Sequence, residues 1–260
     1  MKIAFDSTVI RGVLRGISGM RIFAGPVLLL CLWVNTAAQA DESVAVGRAY
    51  GVDNGALLYT ESHRWDDQHH SVQYFYPDGE LFAISELDFS HSFISPAYTQ
   101  SYPQSGRWEG ARWDGDKLIL FNARREQSMR YEQPLVISAG FFHFIRAHWD
   151  ELLEGKTVTF EFAVPDRMTI VTLRARHLPA TESAITDGDP QWTYFRVEAV
   201  NRMVRWLSTP LEVAFDSQRR LMVLRGTSIV KLEKGATPVV IVHYDYDADA
   251  AAEQAPAPAQ

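Results

Sequence analysis

The chain has 260 residues and a formal charge of −7, and 47% of its residues are hydrophobic. Residues 1–40 hold Lys2, Arg11, Arg15 and Arg21 against Asp6, or +3, so the remainder carries −10, a balance that excludes nucleic acid and anionic membrane surfaces as electrostatic partners. The single cysteine, Cys31, also lies in this first stretch, so a chain that loses it has no disulfide, thiol nucleophile or thiolate metal site.

The first forty residues read as an export signal. Arg21 leads into an apolar run from Ile22 to Val34, and Ala38-Gln39-Ala40 matches the small-x-small pattern of a cleavage site. Met1 to Gly19 is longer than such a leader needs, and Met20 is its expected start. The run is shorter than the roughly 20 apolar residues that span a bilayer and contains Pro26, so cleavage is expected, not retention as an anchor. Cys31 lacks the small residues that precede a lipid-attachment cysteine. The mature protein is expected to begin near Asp41, to reside in the periplasm and not to be an integral membrane protein.

Strand signals follow at short intervals. Ala49 to Glu61, Ser71 to Tyr76, Leu81 to Leu87, Gly106 to Trp113 and Lys117 to Asn122 are rich in β-branched and aromatic residues and are bounded by turn formers. Pro77-Asp78-Gly79 and Asp114-Gly115-Asp116 predict hairpins. Ala139 to Glu154 breaks this rhythm, with Phe141, Phe144, Ile145, Trp149, Leu152 and Leu153 near helical spacing, Ser138 as N-terminal cap and Gly155 as stop. Strands are then predicted at Thr157 to Val164, Met168 to Arg176, Trp192 to Glu198, Leu211 to Phe215, Arg220 to Arg225 and Pro238 to Tyr246, with connections too short for parallel crossovers. Thr181 to Pro190 reads as a mobile loop, Asn201 to Leu207 as a helical turn, and the acidic, then Ala-Pro-rich end over 247–260 as disordered. The pattern predicts a mainly β fold: one domain over 41–246, a curved antiparallel sheet or half-open barrel of about ten to twelve strands. The helix over 139–154 packs on its concave face.

No hydrolase elbow, zinc-protease helix, phosphate loop or dinucleotide fingerprint is present, and no catalytic residue, metal site or cofactor is assigned. His69 and His70 are adjacent and would oppose each other on a strand, and His143 and His148 are five apart, a poor chelating spacing on a helix. Asp245, Asp247 and Asp249 lack the glycine and the bidentate glutamate of a calcium loop. The charged and aromatic run Gly106 to Trp113 is more distinctive. Arg107, Glu109 and Ala111 share one face of a strand, and if that face is internal the charges need partners, for which Arg146 and Arg205 are candidates; on a solvent face they would form an ordinary surface pair.

The stretches LYTESH (58–63), PDGELFA (77–83), LDFS (87–90), SGRWEGARW (105–113), AGFFHFIRAHWDELLEG (139–155), FEFAVPDR (160–167) and RLMVLRGTSIV (220–230) together resemble a family of uncharacterised exported proteins of Gram-negative bacteria. That resemblance implies no activity and transfers no site residue. More loosely, the order of a strand meander, an apolar helix and a second strand run is similar to the half-open barrels of periplasmic lipoprotein carriers, a likeness of architecture alone.

These readings favour a periplasmic binding or carrier module for a lipid-like or amphipathic envelope component. Phe141, Phe144, Ile145, Trp149 and Trp206 would line or plug the cavity, and Arg107, Arg146 and Arg205, with Glu109 beside them, would meet a polar head group. The alternatives are a structural or protein-interaction component of the envelope, using Trp65, Tyr98 and Tyr102 as a surface patch, and an envelope hydrolase. The mark of the hydrolase would be a carboxylate beside a histidine, such as Glu109 near His63.

Overall fold

The computed structural model describes residues 43–131, 134–201 and 209–246. The expected leader over 1–40 and tail over 247–260 lie outside the described residues, as does the expected helical turn after Asn201.

Fifteen strands form a single sheet. The first eight are β1 (Ser43–Gly51), β2 (Leu57–Trp65), β3 (His69–Phe75), β4 (Leu81–Asp88), β5 (Ala97–Tyr102), β6 (Arg107–Asp114), β7 (Lys117–Asn122) and β8 (Arg125–Arg130). After β9 (Leu135–Val136) come the helices α1 (Gly140–Ala147) and α2 (Trp149–Leu153). The remaining strands are β10 (Thr157–Val164), β11 (Thr169–Leu178), β12 (Thr193–Ala199), β13 (Leu211–Phe215), β14 (Leu221–Thr227) and β15 (Val239–Asp245). Neighbours in sequence are neighbours in the sheet, except that β8 and β9 form its two edges and β1 pairs with β15 in the middle.

The predicted strands are all present, and the structure adds four divisions that the pattern hid. The run over 49–61 is two strands joined through Gly55, whose φ of +66° needs glycine. β5, β8 and β9 are new; β8 is almost wholly polar and exposed, and β9 is two residues long, so neither carries a clear strand signal. The predicted absence of parallel pairing also has an exception. β9 lies parallel to β10, and the intervening helices make the crossover.

The sheet curls without closing. Its concave face is filled by the helices: Phe141, Phe144, Ile145, Trp149 and Leu152 pack in one buried cluster with Tyr59, Tyr74 and Phe82 from one half of the sheet and Phe160, Phe195 and Phe215 from the other. Each such side chain removed from water contributes about 2–3 kcal/mol, which makes this cluster the main source of the curl's stability. The helix predicted as one piece is interrupted at His148 (φ −103°, ψ 18°). Ser138 does not cap it. The residue takes φ +46°, the N-cap is Ala139, and no side chain caps the end. The entry is set by backbone: Ile137 N–H donates to the Ile94 carbonyl at 3.0 Å, and Gly140 N–H donates to that of Ile137 at 2.9 Å.

Beyond the helix the two ends of the sheet meet through side chains. Ala111, Leu118 and Leu120 of β6 and β7 pack against Leu135, Ala163 and Met168 around the β9 and β10 edge. A satellite core lies on the outer face, where Leu178, Tyr194, Ala214 and Val223 are covered by Ile185. The loop expected to be mobile is therefore pinned down. The buried Glu212 carboxylate accepts from Ser183 Oγ (2.8 Å), Ala184 N–H (2.7 Å) and the Arg196 guanidinium (2.6 and 2.9 Å).

Candidate functional site

On the inner face of the sheet, where β1, β2, β3 and β15 run past the start of α1, lies an open pocket of about 360 Å³. Two-residue alternation puts Glu61, His63 and Trp65 of β2 on this face, beside Tyr244 of β15, Tyr246 just after it and His70 of β3. Phe89, Phe93, Phe142 and His143 form an aromatic wall, with the His143 ring 5.2 Å from Phe89 and 5.3 Å from Phe93. Asp66, Asp67 and His69 mark the rim, and Arg146 and Arg220 supply its cations.

The polar floor is built around an absent side chain. Gly47 faces Glu61 across β1 and β2, and a Cβ there would stand 2.9 Å from Glu61 Oε2 and 3.0 Å from the Tyr244 ring. Glycine thus leaves the niche that the carboxylate occupies. Glu61 is only 2% exposed, and its Oε2 lies 2.9 Å from His63 Nε2, whose other ring nitrogen lies 3.0 Å from His70 Nε2. Carboxylate, imidazole and imidazole form a chain from the buried niche to the pocket. Among the described residues, His70 Nδ1 makes no hydrogen bond, and the His70 side chain lines the pocket at the end of this chain.

Burial, then the charges of His63 and His143, push the His70 pKa down to about 3. Burial, then the Arg146 charge, lowers that of His143. Burial holds the Tyr244 hydroxyl well above its ordinary value and pushes Tyr246 up to about 12, so both remain protonated. Arg146 donates through Nε to the Arg219 carbonyl at 2.9 Å and has no ion-paired carboxylate among the described residues. Arg220, by contrast, is paired with Asp216 at 2.8 Å. Asp66 is engaged by the backbone N–H groups of Gln68 (2.8 Å) and His69 (2.7 Å). No group of three or more His, Cys, Asp or Glu is placed to hold a metal ion among the described residues.

The described residues among those singled out from sequence divide into three sets. Phe141, Phe144, Ile145 and Trp149 lie in the buried cluster under the sheet and are absent from the pocket lining. Arg146 lines the pocket. Arg107 and Glu109 belong to a separate group where the sheet ends meet: Lys231 Nζ lies 3.0 Å from Glu109 Oε2 and is ion-paired with Asp166, Tyr102 Oη accepts from Lys231 N–H at 3.1 Å, and the Arg107 guanidinium lies 4.9 Å over the Tyr102 ring. The cation beside Glu109 is thus Lys231, not Arg146. Burial raises the Glu109 pKa; Asp166 is lowered, because hydrogen bonds from Lys231 and Glu109 and the Lys231 charge outweigh its burial. Arg205 and Trp206 lie outside the described residues. Of the expected surface aromatics, Tyr102 is buried and Trp65 lines the pocket.

Sequence reasoning passed over Glu61, weighed His70 only beside His69 as a metal ligand, and named His63 only as a neighbour of Glu109, whereas the carboxylate beside His63 is Glu61. Their signal is the alternation Tyr59, Glu61, His63, Trp65, which becomes visible once the strand is started afresh after Gly55. A larger concavity of about 470 Å³ lies across the outer side of β2 and β3, lined by Ser62, Arg64, Ser71 and Gln73 among others. Its walls are polar and mostly exposed, and they hold no converging set of buried groups.

No protein-family model matches the chain, and no curated protein matches it. Among solved structures it is similar to a beta-barrel-like protein of a domain of unknown function, DUF1849, from Brucella abortus. The two share 5% identity with a TM-score of 0.47, covering 80% of this chain and 98% of that one. The architecture described above rests on this chain's own strand pairing. No helix among the described residues is long and apolar enough to cross a membrane.

Proposed function

We propose that the protein is an exported binding or carrier module for a small amphipathic ligand of the cell envelope, with an apolar tail against the aromatic wall and an anionic head at Arg146. The observation that carries this reading is a half-buried guanidinium with no ion-paired carboxylate among the described residues, facing a pocket walled by Phe89, Phe93 and Phe142. A desolvated cation of this kind gains most from an anion brought to it. The leader-like sequence over 1–40 supports export to the periplasm.

The carboxylate and imidazole chain gives hydrolysis a specific observation in its favour, and two facts weigh against it. Among the described residues no serine, threonine or cysteine lines the pocket. A base whose pKa lies near 3 is also far from the value near neutrality that proton abstraction needs. Binding is the better-supported function.

The test is titration of the chain from Asp41 with single-chain amphiphiles. Decanoate is expected to bind saturably, and Arg146→Gln to weaken it by about tenfold or more while binding of the uncharged decanol is kept. An absence of saturable binding by decanoate, or equal loss of both ligands in a folded variant, would overturn the reading.

A further inference from the structure

We propose that the cargo of this pocket is a medium-chain carboxylate, and that binding it loads one proton onto the chain Glu61–His63–His70, which turns His70 into a hydrogen-bond donor to the cargo. This rests on the binding function above and names the ligand class that the same pocket would take.

Size and charge narrow the class. An open pocket of about 360 Å³ walled by aromatic rings has room for an alkyl chain of medium length, which a ten-carbon acid represents. Arg220 is already neutralised by Asp216, and Asp66 and Asp67 stand at the rim, which leaves Arg146 as the cation without an ion pair among the described residues. One uncompensated positive charge fits a monoanion and would leave a dianion in excess.

The chain has two proton arrangements. In the first, the Glu61 carboxylate accepts from His63 Nε2–H, and His63 Nδ1 accepts from His70 Nε2–H. His70 Nδ1 then presents a lone pair to the pocket, which repels an anionic head. One proton taken from solvent changes the polarity of the far end. His63 then carries both ring protons beside the Glu61 carboxylate, donating to it and to His70 Nε2, and the single proton of His70 is now on Nδ1, pointed into the pocket, its Nε2 proton having passed to His63 Nδ1. The added charge stays beside the buried carboxylate, where burial and the charges of His63 and His143 keep it off His70. Charge balances, since one proton enters with one carboxylate.

Other titratable groups face the same space. Tyr59, Tyr74 and Tyr244 surround Glu61, and their hydroxyls are held above their ordinary range, chiefly by burial. From α1 come His143 and Arg146, from the turn between β13 and β14 comes Arg220 with its partner Asp216, and just after β15 comes Tyr246. At the rim stand Asp66, Asp67 and the exposed His69. Of these, His69 and His143 are the other imidazoles lining the pocket, and they enter the test as controls.

The experiment is calorimetric titration with decanoate at pH 7 in two buffers of different ionisation enthalpy, which counts the protons taken up. Uptake approaching one per ligand is expected, with affinity falling by up to about tenfold per pH unit where the chain is unloaded. Glu61→Gln and His70→Gln are each expected to bring the uptake close to zero, and His69→Gln and His143→Gln to leave it in place. Decanoate binding with an enthalpy that does not depend on buffer overturns the proton chain and leaves the binding function standing. Uptake that survives Glu61→Gln and His70→Gln also overturns it, as does uptake that vanishes with His69 or His143. Failure of decanoate to bind at all removes the binding function, and this inference with it.

Discussion

At the scale of single residues, burial of charge is the feature that most distinguishes this molecule. Glu212 is 2% exposed; its Oε2 accepts from Ser183 Oγ and Ala184 N–H, and its Oε1 from two N–H groups of the Arg196 guanidinium. Removing the carboxylate leaves Arg196 without its anion, and Glu212→Ala is expected to cost about 3–5 kcal/mol in chemical denaturation. Burial works to raise the Glu212 pKa, but the hydrogen bonds from Ser183, Arg196 and Ala184 outweigh it and the net shift is downward. A carboxylate with a lowered folded pKa stabilises fully above its unfolded value near 4.5, and that stabilisation is lost as pH falls through the folded value. Thermal melts from pH 7 to pH 3 are therefore expected to show a smaller acid loss in Glu212→Gln than in the parent. The sequence revealed such residues unevenly. Arg146 and Glu109 stood out because charge was set among aromatics, whereas Glu61 and His63 did not, since their importance comes from Gly47 on a neighbouring strand, a relation between two strands and not within one.

At the scale of elements, the helix was legible because six large apolar residues repeat at one spacing over 139–154, and its place on the concave face follows from that stripe. Its join to the sheet was not legible. A Cβ at Gly140 would stand 2.3 Å from the Ile94 carbonyl oxygen, closer than atoms approach without displacement, and the obstacle is backbone. Gly140→Ala, which in an exposed helix would help by about 1 kcal/mol, is expected here to destabilise by about 1–3 kcal/mol. Urea unfolding of the two proteins checks the sign. The hidden strands follow the same logic. β8 carries Arg-Glu-Gln-Ser-Met-Arg, and β5 carries Ala-Tyr-Thr-Gln-Ser-Tyr, whose inward residues are Tyr98, Gln100 and Tyr102. An inner face that satisfies Gln100 through Ser85, Tyr98 and the Ile84 carbonyl does not look hydrophobic in sequence, although Gln100 is as buried as any leucine of the core.

At the scale of the whole molecule, a sheet with two free edges is held in its curl by side chains, and Lys231 is the polar clasp where its ends meet. Lys231→Met is expected to leave Glu109 half-buried without its cation and to cost about 1–3 kcal/mol, less than a fully buried pair because Asp166 is partly in solvent. Hydrogen exchange is the decisive readout. Protection is expected to fall in β6, β7 and β10 while β1, β2 and β15 keep theirs; a uniform fall would mean that Lys231 stabilises the fold without fastening its ends. The pairing of β1 with β15 has a different consequence. Val46 lies opposite Asp245, so the first strand begins where the last one finishes, and Ala45 and Tyr246 both line the pocket. Whatever is joined to either side of the domain, whether a fusion partner, a fluorophore or a tether, is delivered to the doorway of that pocket. The hairpin at Pro77-Asp78-Gly79, none of whose residues lines the pocket, is the attachment point that would leave that doorway open.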